Sequence, residues 1–93
     1  MARTLQLDIA TPDRLIVSGP AEAVVAPGSE GEFGVLPGHA GFLSTLRAGR
    51  LRYRMDGSWH TVAVQGGFAE ITPHQAVLLV RLAEGAEPPK QTP

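Results

Sequence analysis

The feature that most constrains this chain is a hydrophobic period of two residues, kept over nearly its whole length. Successive side chains of a strand point to opposite faces, so this pattern buries one face of each strand and solvates the other. Leu5, Leu7 and Ile9 alternate with Thr4, Gln6 and Asp8 and predict a half-buried strand. Thr11-Pro12-Asp13 turns the chain into a second run at 15–17, and a third, at 21–26, stops at Pro27-Gly28. The clearest strand, 50–55, sets Leu51, Tyr53 and Met55 on one face and Arg50, Arg52 and Arg54 on the other. It meets Asp56-Gly57, a strong hairpin signal, and returns through 59–65. Runs at 68–72 and 76–83, joined by Pro73-His74-Gln75, complete the ordered part.

Runs at this spacing, with 11 Gly and 8 Pro between them, predict an all-β sandwich or barrel. One stretch, 40–46, has helical potential, and it is too short to shape the architecture. The chain divides into one folded domain, 1–84, and a Pro-rich tail, 85–93, holding Pro88, Pro89 and Pro93 and expected to be flexible.

Ninety-three residues suffice for one core. A 43% hydrophobic and 18% charged composition is that of a globular protein, and a net charge of −1 predicts no general affinity for nucleic acid or anionic membrane. With no cysteine, disulfides, thiolate metal sites and Cys nucleophiles are all excluded. The longest strongly apolar run, 76–80, is far short of the roughly 18–20 residues of a spanning helix, so no direct membrane insertion is expected. The N-terminus lacks the apolar stretch of a signal peptide.

Chemistry-bearing residues are sparse. His39, His60 and His74 match no local metal-ligand spacing. Ser18, Ser29, Ser44 and Ser58 lie in no nucleophile elbow, and Gly66-Gly67 is followed by neither G-K-[ST] nor a helix, so close packing or a bulge accounts for that pair. Neither a catalytic site, a metal nor a cofactor is expected. The arginine stripe reads as the solvated face of a strand without the interleaved aromatics that would stack bases. The most particular segment is 27–46, PGSEGEFGVLPGHAGFLSTL, read as a long loop with several glycines and with Glu30 and Glu32 standing apart from any basic neighbour in it.

Residues 28–46, GSEGEFGVLPGHAGFLSTL, resemble the signature of the epsilon subunit of F-type ATP synthases, the delta subunit of mitochondria. Leu7-Asp8-Ile9 with Thr11-Pro12, Ala48-Gly49-Arg50-Leu51, the strand pair 64–71 and Leu82-Ala83-Glu84 resemble further family motifs in the same order, covering roughly 5–84. The resemblance implies a small sandwich of two antiparallel sheets, about ten strands in all, at the foot of the central rotor stalk. It further implies binding to the gamma subunit on one side and to the polar loops of the c-ring on another. In that family the domain couples ion-driven ring rotation to ATP synthesis on the cytoplasmic face of the bacterial inner membrane, and other subunits carry the catalysis. Position by position, Glu30, Gly31, Glu32 and His39 fall on the part that resembles the ring-facing surface.

Three departures accompany the likeness. The family's C-terminal helical hairpin is not in this sequence, Gly41 stands where Pro is common, and Arg81 replaces a common Asp. Two other functions fit the residues less well. A carbohydrate-binding sandwich needs an aromatic platform, and Trp59 and Tyr53 are nearly alone here. A small hydrolase needs a convergent acid, base and nucleophile.

Overall fold

The structure, a computed structural model, describes residues 3–86. They form eight strands: β1 (Leu5–Ala10), β2 (Leu15–Ala21), β3 (Ala23–Gly28), β4 (Gly31–Val35), β5 (Phe42–Leu46), β6 (Gly49–Met55), β7 (Ser58–Thr72) and β8 (Gln75–Leu82). No helix occurs among the described residues. The expected tail lies outside them from residue 87 onward.

The strands follow the order β2-β1-β8-β7-β5-β3-β4, with β6 bridging β3 and β7. The 15-residue β7 joins the two layers of the sandwich. Its first half pairs with β6 through Val64, and its second half lies between β5 and β8. One layer is therefore β2-β1-β8-β7-β5, and the other is β4-β3-β6-β7. The family resemblance implies about ten strands, and eight are found among the described residues; two runs read separately in sequence, on either side of Gly66-Gly67, are one bent strand here. All pairings are antiparallel except β1–β8, which is parallel, from Gln6↔Gln75 to Ala10↔Leu79.

Alternation does what the pattern predicts. Leu5, Leu7 and Ile9 are buried, as are Leu51, Tyr53 and Met55 on β6, whose three arginines point to solvent. The smallest extent of the molecule, 20 Å, accommodates two sheets packed about 10 Å apart with their outer side chains. The Asp56-Gly57 turn has positive φ at both residues, 53° and 76°, which gives the twist that an antiparallel hairpin favours. At the bend of β7 the register shifts between Val64 and Gly66. Gly67 runs so close to β8 that a Cβ there would collide with the Leu79 carbonyl oxygen. Close packing and a bulge thus both account for the glycine pair.

The segment 27–46 differs from the expected long loop. It forms the β3–β4 hairpin, a short connection over 36–41, and β5. Residues 42–46, which carried helical potential in sequence, are extended, because β7 offers a ladder from Gly67 to Ile71 along β5. Tertiary pairing overrides weak local preference there.

Candidate docking surfaces

The first surface is the acidic end of the β3–β4 hairpin. Gly28 pairs with Gly31, so Ser29 and Glu30 form a two-residue turn, Gly31 starts the returning strand and Glu32 follows it. β5 pins this turn: the Ser29 amide donates to the Thr45 carbonyl at 2.9 Å, and the two hydroxyls lie 2.6 Å apart. Arg47 Nε donates to the Gly28 carbonyl at 3.1 Å. Between the turn and β5 lies an open cleft of about 490 Å³, lined by Glu30, Glu32, Phe33, Phe42 and Ser44 among others.

Glu32 is not without a basic neighbour. Its carboxylate lies 3.6 Å from the Arg52 guanidinium, reaching across β3 from β6, a contact that needs the tertiary fold. Both side chains are about half exposed, so the pair contributes at most about 1 kcal/mol to folding. His39 lies in the 36–41 connection, and its ring meets Phe42 edge-on at 5.8 Å. Phe42 in turn meets Phe33 at 5.1 Å, so an aromatic chain links His39 to the residue beside Glu32. The His39 Nδ1–H donates to the Ala40 carbonyl at 2.9 Å. Glu30, Gly31, Glu32 and His39 are all exposed. At Gly41 a Cβ would come within 2.9 Å of the Ile71 carbonyl oxygen, so this backbone packs against β7.

The second surface was not named from sequence. On the outer face of the five-stranded layer, register aligns Thr45, Phe68, Leu79, Ala10 and Leu15 in one row across all five strands. Leu15, Phe68 and Leu79 are 56%, 40% and 53% exposed, so from Phe68 to Leu15 this row is an apolar band open to solvent. Its signal was present in the continuous run 76–80. A strand apolar on both faces is a strand covered on both. Next to the band, Leu43, Glu70, Val77, Asp8 and Ser18 form the adjoining row. Asp8 accepts hydrogen bonds from Ser18 Oγ (2.7 Å), Gln6 Nε2 (3.1 Å) and Gln75 Nε2 (3.2 Å). Burial pushes its pKa up, but the three donors outweigh burial and hold it below the ordinary aspartate value.

This sandwich, with its β3–β4 hairpin and bent β7, matches a known family. The family described as ATP synthase, delta/epsilon chain, beta-sandwich domain matches residues 4–86. The chain belongs to this family. The ATP synthase epsilon chain of Syntrophobacter fumaroxidans is 49% identical over 86 residues, covering 92% of this chain and 64% of that one. The ATP synthase epsilon chain of Nitratidesulfovibrio vulgaris (strain DP4) is 49% identical over 87 residues, covering 94% and 65%. The chain therefore spans about two thirds of the length of these relatives. Among solved structures, a chain of the Euglena gracilis mitochondrial ATP synthase (OSCP/F1/c-ring in rotational state 1) superposes with a TM-score of 0.79 at 26% identity. The match covers 91% of this chain and 53% of that one. The delta/epsilon sandwich is thus present from the first strand to the last.

Proposed function

We propose that this chain is a non-catalytic central-stalk subunit of a rotary F-type ATP synthase. It docks to the gamma subunit through the apolar row of Phe68, Leu79, Ala10 and Leu15, and to the polar loops of the c-ring through Glu30, Gly31, Glu32 and His39. It couples ion-driven ring rotation to ATP synthesis at the cytoplasmic face of the bacterial inner membrane, held there by its partners.

The observation that carries the reading is two chemically unlike surfaces on one sandwich of this family, which adjoin at Thr45 on β5. One is an apolar band across four strands, β7, β8, β1 and β2, suited to a lasting contact with a protein partner. The other is an acidic, exposed turn beside an open cleft, suited to a wet contact with basic and amide side chains. One continuous core beneath both surfaces makes the sandwich stiff enough to transmit torque from one to the other.

The test begins with a pull-down of the tagged chain from detergent-solubilised membranes of the source organism, with the retained subunits identified by mass. Gamma and c subunits are expected together. Glu32→Arg is expected to keep folding stability within about 1 kcal/mol of the parent, because the Arg52 pair is exposed. The same variant is expected to weaken attachment to the ring and to lower coupled proton or sodium pumping. A variant that couples as well as the parent removes Glu32 from the ring contact.

A further inference from the structure

The apolar row lies between charges of opposite sign. On one flank, Glu70 and Asp8 occupy the adjoining row of the same face, two strands apart. On the other, Arg81 follows Leu79 by two residues on β8 and so points to the same side. Arg81 and Arg14 line one open cleft of about 440 Å³ with Asp13, Pro12 and Thr11. Asp8 aligns with Val77, four residues before Arg81, which sets the flanks about 13 Å apart along the strands at roughly 3.3 Å per residue.

These charges are distributed unlike those of the opposite face. There, Arg52 pairs with Glu32 at 3.6 Å and Arg54 with Glu22 at 3.3 Å, so two of the three stripe arginines are neutralised within the chain. Among the described residues, Arg14, Arg81 and Glu70 have no ion pair. The cleft holding both guanidiniums has one carboxylate, Asp13, and keeps a positive balance with it counted. On the acidic flank, three hydrogen bonds fix the Asp8 carboxylate in place while leaving it lone-pair capacity for a further donor. Charges without an ion pair beside an apolar band orient a partner and exclude the wrong one more than they add affinity.

We propose that this face is a polarised docking key: the protein that covers the apolar row places an acidic side chain over Arg14 and Arg81 and a basic side chain over Asp8 and Glu70. Arg81 is the chief specificity determinant, since it borders both the band and the cleft. The inference rests on the reading that the gamma subunit docks on this row, and adds the chemistry that selects it and sets its orientation.

Titration calorimetry of the full chain against the gamma subunit of the same organism, at low and at moderate salt, tests both levels. Phe68→Glu is expected to abolish binding. Arg81→Glu is expected to weaken it at least tenfold at low salt, with an unchanged melting temperature, and Asp8→Asn by a smaller factor. The double variant Arg14→Gln/Arg81→Gln is expected to flatten the salt dependence of the affinity. Arg50→Glu, on the opposite face, is expected to bind like the parent and controls for a general charge effect. If Phe68→Glu fails to bind while Arg81→Glu binds as the parent does, the docking key is overturned and the gamma reading stands. If Phe68→Glu binds as the parent does, or the parent itself does not bind, the assignment of gamma to this row falls and the key with it.

Discussion

Asp8 sits on β1 between β2 and β8 and takes a hydrogen bond from each neighbour, through Ser18 and Gln75, besides that of Gln6 on its own strand. In sequence it was only one polar position of an alternating strand, because Gln75 lies 67 residues away. Its folded pKa is below its unfolded one, so its stabilising contribution is complete above the ordinary aspartate range, near pH 4, and is lost as pH falls through the folded value. Asp8→Asn is therefore expected to be less stable than the parent at neutral pH. The gap should narrow in acid, read by urea unfolding at pH 7 and at about pH 2.5. An equal gap at both values would show that the charge of Asp8 contributes nothing. Glu32 makes the same point about reach: the turn and acid were legible, while the Arg52 partner came from β6.

At the scale of elements, two glycines separate a turn from a close approach. Gly57 has φ +76° and open space where a Cβ would stand. Gly57→Ala is expected to cost about 1–2 kcal/mol, the penalty of left-handed backbone alone. Gly67 faces backbone, the Leu79 carbonyl oxygen and the Val80 Cα at 2.9 Å, neither of which can swing away. Gly67→Ala must push β8 from β7 and is expected to cost about 3 kcal/mol or more. Urea denaturation of the two variants compares them directly; equal losses would mean that the β7–β8 approach is soft. The hairpin at Asp56-Gly57 was legible because its chemistry is local. The extended state of 42–46 was not, since only the β7 ladder decides it.

For the whole molecule, stability and docking draw on different faces of the same strands. Leu78 is fully buried and Leu79, its neighbour, is half exposed. A domain of this size has about 5–14 kcal/mol of total stability, and Leu78→Ala is expected to remove about 2–5 kcal/mol of it. Phe68→Ser, on the open band, is expected to remove about 1 kcal/mol while abolishing retention of the gamma subunit. Thermal unfolding and pull-down of both variants check the division. Comparable destabilisation by Phe68→Ser would make the band part of the core.

By itself the sequence determined the all-β class, the inward set Leu5, Leu7, Ile9, Leu51, Tyr53 and Met55, the Asp56-Gly57 hairpin and the glycine pair at the bend. Each depends on neighbours a few residues apart, where period and turn chemistry act. Only the tertiary structure decided that β1 and β8 run parallel, that one long strand serves both layers, and that β5 is a strand. It also decided which apolar residues share an outer row and which charges flank it, because register between strands distant in sequence sets what stands beside what.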